Sequence, residues 1–459
     1  MRVCTRFAVL TLGALLTVPT GAVAQAVSDQ SKKDASEQDQ KQSASEEAKK
    51  QDRRRNGFRW RNRPTFQFGD VRLDIRFKTQ LDWRVFDPDI DEGLFDLRQM
   101  RGGLNAEIGN HFEMQAEHDL WGGGEICGEA RDKCVGGGSW RDLFVRWRTY
   151  RQAEVTVGRF KVPFGREELI SFSDVDFAYR SLVSTTIPPA RDKGVMVNGR
   201  FLRRGLTYEV GVFDDDGDNG RLTEPQFAVG GDPEDVGPSF AARVTATPLR
   251  PLSERLETFR VGFAYGLADI PEGLNSLRGQ SVYGTNDFFE PVYVNGQRQR
   301  MGLEATYTPG PFGLAAEWMQ AREERKGQGL GDVDLSDFIT TGWYASATWL
   351  VTGEDKEDFN NPRNPIFEGG IGAVEVAARD EKLRFESEDK TGPAFRNPRA
   401  QHVLPNSDRV WTFGVNWFLD RWVRLTINGI REEFEDLRRL PVAGITDYWS
   451  GVARLQIVF

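Results

Sequence analysis

The sequence predicts an all-β protein, a transmembrane antiparallel β-barrel of about 16 strands. Three observations predict this fold class. From Val71 to Val85, mostly apolar residues alternate strictly with charged or polar ones. A second alternating segment, 449–459, ends with Phe459, as the terminal strand of outer-membrane barrels ends with an aromatic residue. The segments in between are joined by connections that alternate in length. A tilted strand needs roughly nine to eleven residues to cross a bilayer, whereas strands of soluble domains average about five or six.

The first 24 residues have the layout of a secretory signal peptide. Arg2 and Arg6 precede an apolar stretch, 7–18, and the small residues of 22–24 supply a cleavage site. We expect cleavage after Ala24 and localisation of the exported protein in the bacterial outer membrane.

Residues 25–63 are predicted to be a disordered, polar and basic periplasmic segment. The stretch 27–52 has almost no large apolar residue, so it cannot bury enough surface to fold. A basic patch follows, made of Arg53, Arg54, Arg55, Arg59, Arg61 and Arg63. Two interpretations stay open: a solvated tether, or a segment that contacts peptidoglycan or anionic lipid headgroups.

The barrel domain is predicted to span 64–459. The predicted strands are 71–85, 98–108, 112–121, 141–149, 154–163, 194–202, 206–213, 239–247, 258–268, 299–308, 313–322, 341–351, 371–380, 409–419, 422–432 and 449–459. Short periplasmic turns and long external loops are typical of outer-membrane barrels, and an even strand number returns both termini to the periplasm. Outer-membrane lipid is the expected partner of the outward face, where the aromatic residues recur at strand ends.

Composition agrees with this fold class. The chain is 39% hydrophobic and 28% charged with a mean hydropathy of −0.51. A porin has similar values because only alternate strand residues meet lipid. The formal net charge of −9 argues against a nucleic-acid partner.

Two cysteines remain after removal of the signal peptide with Cys4. Cys127 and Cys134 are flanked by glycine triplets. In an oxidising compartment this spacing predicts a disulfide that closes a loop tip. Two free thiols, or a metal site, are the alternatives.

Catalytic chemistry has little support in the sequence. The three histidines, His111, His118 and His402, lie in no zinc-protease or triad context, and no cofactor motif is present. The acidic run 214–220 has the alternating carboxylates and glycine of a calcium loop but lacks the downstream bidentate Glu. A solvated external loop is the other interpretation.

Arginine and lysine recur on the predicted inward face. Guanidinium groups stay charged and present a planar donor fork to phosphate or carboxylate oxygens, so a ladder of them could pass an anion along the pore. The strand candidates are Arg72, Arg76, Lys78, Arg146, Arg148, Arg243, Arg424 and Arg454. Inward acids are nearly as numerous, and a wall of mixed charge is the alternative.

Several motifs resemble those of the phosphate-selective porin O and P family. They include Gly158-Arg159-Phe160-Lys161-Val162-Pro163-Phe164-Gly165, Arg180-Ser181, Pro189-Ala190-Arg191-Asp192-Lys193-Gly194, Gly353-Glu354-Asp355-Lys356 and Gly414-Val415-Asn416-Trp417-Phe418. The resemblance covers roughly 66–459 and implies a sixteen-stranded, homotrimeric porin with a constriction loop folded inward. Two positions depart from the family pattern: Tyr179 stands where an acidic residue is usual, and Val374 where a Trp is usual.

The resulting functional hypothesis is a passive outer-membrane channel for small anions, with phosphate or polyphosphate suggested by the resemblance. Loop 164–192 is expected to narrow the pore and to line it with Lys161, Arg166, Arg180, Arg191 and Lys193. Alternatively, these cations pair with loop carboxylates and only hold the loop in place. A general or cation-preferring porin and a non-conducting anchoring barrel are the alternative functions.

Overall fold

A computed structural model describes residues 56–60, 62–88, 95–121, 140–202, 205–220, 224–225, 237–253, 256–284, 286–359, 361–388, 403–436 and 440–459. The predicted signal peptide, most of the polar segment and the proposed Cys127–Cys134 pair lie outside these residues. The disulfide therefore stays a prediction, which mass spectrometry of a non-reduced digest would test.

Sixteen antiparallel strands close a barrel, and β3 pairs with β21 at the seam. The strands are β1 (Gly57–Trp60), β2 (Pro64–Phe68), β3 (Val71–Asp87), β4 (Phe95–Ile108), β5 (Phe112–Asp119), β6 (Trp140–Tyr150), β7 (Ala153–Lys161), β8 (Arg191–Phe201), β9 (Leu206–Phe213), β10 (Glu224–Pro225), β11 (Ser239–Ala246), β12 (Arg260–Leu274), β13 (Gly279–Gln280), β14 (Asp287–Phe289), β15 (Tyr293–Tyr307), β16 (Phe312–Arg325), β17 (Leu335–Leu350), β18 (Ala373–Ser387), β19 (Asn406–Phe418), β20 (Val423–Phe434) and β21 (Asp447–Val458). The barrel wall uses all of these except β1, β2, β10, β13 and β14.

In the residues that the structure describes, helical structure is confined to loops. Two short helices, α1 (Arg166–Leu169) and α2 (Leu182–Thr186), lie between β7 and β8. Single 3₁₀ turns are formed by Phe172–Asp174 and Ile366–Glu368. Within the described part of the chain, no helix has the length and apolarity needed to span a membrane.

Each of the sixteen predicted strands coincides with a barrel strand. The predicted ends are too short on the long-loop side, where β12 continues to Leu274 and β16 to Arg325. The reason is visible on the outward face of β16, which changes from apolar to charged at Arg322. Beyond the lipid a strand no longer needs an apolar outer face, so the alternation that marks a membrane strand ends before the strand does.

Connections at one end of the barrel are short and those at the other end are long. The turns 109–111, 151–152 and 202–205 stand at the short end, and the loops 162–190 and 275–292 at the long end. Large apolar side chains cover the outside of the wall, with Trp83 66% exposed and Phe95 73% exposed. An exposed apolar band of this kind is the surface that lipid covers.

An additional hairpin, β1–β2, precedes the barrel. β2 pairs with β3 from Thr65↔Asp74 to Phe68↔Val71. It uses the same edge of β3 that pairs with β21 from Lys78 onward. The predicted disordered segment 25–63 is therefore wrong for 57–60, which form β1. The missed signal is the pair of large apolar residues in that stretch, Phe58 and Trp60.

Three of the described loops fold into the barrel on one side. We name them L3 (162–190), L4 (214–220) and L5 (275–292). L3 and L5 join inward residues of the wall in one buried apolar cluster, which includes Phe164, Leu182, Ile187, Leu277, Phe288, Phe338, Phe385, Val410 and Ile430. The interior is thus packed against β15–β21 and the part of β3 from Gln80 to Arg84, and it is open along the rest of the inner face of β3 and along β4–β9 and β11.

Candidate functional site

L3 is held against the wall by carboxylates that accept backbone N–H groups. Glu317 of β16 accepts from the N–H of Arg166 at 2.5 Å and of Glu167 at 2.9 Å, where α1 begins. Glu381 of β18 accepts from the N–H of Leu182 at 2.5 Å, where α2 begins. Because the first N–H groups of a helix lack partners within it, these two carboxylates fix both helices of L3.

Buried guanidinium groups hold the middle of L3. Arg454 of β21 forms a two-pronged ion pair with Asp82 at 2.6 Å and donates to the carbonyl of Ala178. Arg424 of β20 donates to the carbonyl of Val175 at 3.0 Å. The prediction that Arg424 and Arg454 line the pore is therefore wrong. Both point inward, but L3 covers them.

A lysine from the opposite end of the barrel completes the attachment. Lys356 lies in the connection between β17 and β18 and contacts Asp176 of L3 at 2.7 Å as well as Glu375. Burial alone would lower the pKa of Lys356, but the two carboxylates raise it above its ordinary value of 10.5. Burial alone would raise the pKa of Asp176, but Lys356 holds it below its ordinary value of 3.8. Both groups are therefore charged at neutral pH.

A cavity of about 650 Å³ lies between L3 and the wall formed by β3–β9 and β11. Among the described residues that line it are ten Lys or Arg and five Asp or Glu. The cations are Arg76, Lys78, Arg98, Arg101, Arg141, Arg146, Lys161, Arg180, Arg191 and Arg243. The lining residues thus carry a formal excess of five positive charges, although Arg101, Arg146 and Arg243 also bind Asp119, Glu113 and Glu304 outside the lining.

Each of the five lining carboxylates has a basic partner. The pairs are Glu117–Lys78 at 3.0 Å, Asp142–Arg191 at 2.8 Å, Glu168–Arg180 at 2.8 Å, Glu209–Arg243 at 2.7 Å and Asp218–Arg159 at 2.6 Å. Arg76 donates instead to the neutral amide oxygen of Gln115 at 3.1 Å. Arg98 stacks over the rings of Phe172 and Tyr179. Neither Arg76 nor Arg98 has a carboxylate partner among the described residues, so both can attract an anion.

Seven of the thirteen predicted cations line this cavity. They are Arg76, Lys78, Arg146, Lys161, Arg180, Arg191 and Arg243. Lys161 donates to the carbonyls of Glu168 and Ile170, so it also fixes the end of α1. The alternative interpretation, in which these cations hold the loop in place, therefore applies to some of them, including Arg180.

The other predicted candidates lie elsewhere. Arg72 pairs with Asp74 at 2.9 Å, and Arg148 pairs with Glu107 at 3.2 Å, both outside the cavity lining. The backbone of Arg166 is bound to Glu317 away from the cavity. Lys193 is 68% exposed and pairs with Asp214. None of these four residues lines the cavity, and a role for them elsewhere in the pore stays a prediction.

Sequence reasoning missed Arg98 and Arg141 because two β-bulges shift the alternation. On β4 the register slips where Gln80 faces Gln99 and Leu81 faces Leu97. On β6 it slips between the partners of Glu117 and His118. A bulge inserts one residue and turns the next side chain to the other face, so strict alternation misplaces the arginine at each bulge. The sequence carries no clear signal for either slip.

The acidic run of L4 serves ion pairs with arginine. Asp216 is 1% exposed and binds Arg298 at 2.5 Å and Arg300. Burial alone would raise the pKa of Asp216, but Arg300 and Arg298 hold it below its ordinary value. The prediction of a solvated loop is wrong at this position. Within the described residues, no group of three or more His, Cys, Asp or Glu could hold a metal ion.

Fold and site together define an outer-membrane porin, a channel whose barrel is narrowed by an internal loop. The chain belongs to the phosphate-selective porin O and P family, whose model matches residues 71–459. No curated protein shows a sequence match.

Solved structures agree on the fold at low sequence identity. An OmpT loop-deletion mutant of Vibrio cholerae is 11% identical with a TM-score of 0.54, and the alignment covers 85% of this chain and 100% of that one. The trimer form of OmpT is 12% identical with a TM-score of 0.52, covering 85% and 99%. The outer-membrane channel DcaP of Acinetobacter baumannii is 9% identical with a TM-score of 0.52, covering 88% and 100%.

Proposed function

We propose that the protein is a passive diffusion channel for small anions, phosphate and polyphosphate among them. The observation that carries this proposal is the excess of five positive charges in the described lining of the cavity beside L3. A narrow passage with walls of low dielectric constant concentrates the field of such charges and raises the local concentration of the opposite ion. Membership in the phosphate-selective porin family supports the same substrate class.

Cations on adjacent strands form a path along the open wall. Arg76 and Lys78 follow one another on the inner face of β3, about 7 Å apart along the strand. Arg101 faces Lys78 across the β3–β4 pair. An anion that leaves one of these groups reaches the next before it regains a full hydration shell. Lys78 and Arg101 share Glu117, and Arg101 also binds Asp119 at 3.2 Å, so the net positive charge of this path comes from Arg76.

Planar-bilayer recordings with the purified protein test the proposal. In a potassium chloride gradient, the reversal potential should have the sign of anion selectivity, and added phosphate should reduce the chloride current. A cation-selective reversal potential would contradict the proposal and favour a general or cation-preferring porin. Absence of any unit conductance would favour the anchoring barrel.

We also propose a homotrimer in the outer membrane. The wall exposes a wide apolar surface, which includes Val157, Val195, Val212 and Phe240 on neighbouring strands. One of the compared porins was solved in a trimer form. Mass measurement of the protein extracted in mild detergent tests the assembly, and a monomer would contradict it. The signal peptide, and contact of the N-terminal segment with peptidoglycan or lipid, stay predictions.

A further inference from the structure

Arg84 is a buried guanidinium with no hydrogen-bond acceptor. It lies on the inner face of β3 near the long-loop end and is 1% exposed. Its Nε, Nη1 and Nη2 atoms are all buried, and none has an acceptor among the described residues. Among the described residues, its one cation–π contact is with the ring of Tyr283 in L5, whose centroid lies 5.5 Å from the guanidinium carbon.

Two hydroxyl groups beside Arg84 are unsatisfied as well. The Tyr283 hydroxyl and the Ser450 hydroxyl of β21 are buried, and neither has a hydrogen-bond partner of good geometry in the described part of the chain. Ser450 lies two residues from Val452, which is the register partner of Arg84 across the barrel seam. Tyr283 is within interaction range of both Arg84 and Ser450. One charged fork and two hydroxyl donors therefore meet in a small volume.

Two carboxylates of this region, those of Asp82 and Glu432, are already occupied. Both oxygens of Asp82 bind Arg454, and one also accepts from the Tyr179 hydroxyl at 3.0 Å. Glu432 accepts from the Tyr448 hydroxyl at 2.7 Å and from the N–H of Val282 at 2.9 Å. Neither carboxylate is available to neutralise Arg84.

We propose that Arg84, Tyr283 and Ser450 bind a small inorganic anion of halide size at the barrel seam. Water could accept the hydrogen bonds of Arg84, but it would leave the guanidinium without a counter-ion in contact, and an unpaired charge is strongly destabilising in the protein interior. A monatomic anion supplies both the charge and an acceptor without directional demands. The site lies outside the cavity lining and is independent of the proposed selectivity of the channel.

Occupancy of the site fixes L5 against the seam and against L3. The Tyr283 ring contacts the ring of Tyr179 in L3 at 5.0 Å and that of Phe86 at the end of β3 at 5.2 Å. An anion held by Tyr283 therefore joins the two loops that fill the barrel to the pair of strands that closes it.

Anomalous diffraction from crystals of the intact protein grown or soaked in bromide tests the proposal. A bromide peak within hydrogen-bond distance of the Arg84 guanidinium is expected in the wild type and should be absent in Arg84→Met. Wild-type crystals without a peak at Arg84, whether or not bromide appears elsewhere, would overturn the proposal.

A thermal measurement in solution gives an independent check. At constant ionic strength, replacing methanesulfonate by chloride should raise the midpoint of heat unfolding of the wild type by about 2 °C. Arg84→Met should lose this chloride dependence, whereas Arg409→Met, which removes an exposed arginine, should retain it. Equal chloride dependence in wild type and Arg84→Met would overturn the proposal.

Discussion

The two halves of the barrel share one strand pattern but differ in what covers their inner faces. Along β4–β9, β11 and the part of β3 that carries Arg76 and Lys78, the inward side chains are mainly charged and face a cavity. Along β15–β21 they alternate between apolar groups such as Phe338 and Phe385 and buried charges such as Glu381 and Arg454, and L3, L4 and L5 lie on them. In the open half, charge serves the pore. In the filled half, charge serves the loops, because Glu317, Glu381, Arg424 and Arg454 bind backbone groups of L3 and Arg298 and Arg300 bind Asp216 of L4.

The largest effect is expected when Arg454 of the filled half loses its buried carboxylate partner, Asp82 of β3. Asp82→Asn leaves Arg454 without its counter-charge, and breaking a buried ion pair in this way costs about 3–5 kcal/mol. We expect a lower midpoint of thermal unfolding and a larger, noisier conductance as L3 detaches. The control is Asp380→Asn, which removes an exposed pair with Arg409 worth about 0–1 kcal/mol. Equal midpoints for the two variants would break the distinction between the halves.

Acid should detach L3 at the attachment formed by Lys356. The pKa of Asp176 is lowered in the folded protein, so its contribution is present above the ordinary value of 3.8 and is lost as the pH falls through the lowered one. The pKa of Lys356 is raised, so its contribution is present below 10.5 and is lost only at higher pH. Between these limits the pair should stabilise L3 by about 1.5–3 kcal/mol.

Conductance as a function of pH measures this attachment. The wild type should show an increase in conductance below pH 3.8, whereas Lys356→Met should already have the larger conductance at neutral pH and lose that acid step. A wild-type conductance that is unchanged in acid would show that the other contacts of L3 suffice without Asp176.

The open half should respond in selectivity with its fold intact. Arg76→Gln removes one cavity charge that has no carboxylate partner among the described residues, at a cost to an entering anion of about 1 kcal/mol, or roughly fivefold in anion preference. Reversal potentials in a salt gradient give this ratio. Arg72→Gln is the matched control on the same strand face, because Arg72 pairs with Asp74 outside the cavity. If both variants lower anion preference equally, the cavity is not the selective part of the pore.

The smallest effect concerns the bulge on β4. Arg98→Gln should lower anion preference about twofold, less than Arg76→Gln, because the guanidinium is drawn toward two aromatic rings. Strict alternation would place Arg98 outside and predicts no change in the reversal potential. The two expectations therefore separate the bulged register from the regular one.

The strands could be predicted from the sequence because their signal is local. A residue two positions along a strand lies on the same face, and the lipid requires that face to be apolar, so all sixteen strands are visible in the alternation. Whether an inward arginine faces the pore or is covered by a loop cannot be predicted from its neighbours in the sequence. Arg76 and Arg454 have the same position in the alternation, and only the path of L3, set by contacts with distant strands, leaves one open and covers the other.

The contacts of two further residues, Tyr179 and Lys356, could not be predicted from the alternation of side chains. Tyr179 departs from the family sequence, and its hydroxyl donates to Asp82, a contact between residues 97 positions apart. Lys356 belongs to a motif that supported the resemblance, but its role appears only when Asp176 is brought to it across the barrel. Such contacts depend on the closed fold, which no single segment encodes.

The hairpin β1–β2 sets a limit on how the barrel can close. It occupies the edge of β3 up to the pair Thr65↔Asp74, and Phe459 of the closing strand pairs with Phe77 just beyond it. A register slip must move by two residues to keep lipid-facing side chains outside. Such a slip toward the short turns would bring Phe459 opposite Ile75, into the path of the hairpin. The hairpin thus blocks this slip sterically. The first barrel strand, through its pairing with the hairpin, therefore helps the last strand to set the shear of the closed barrel.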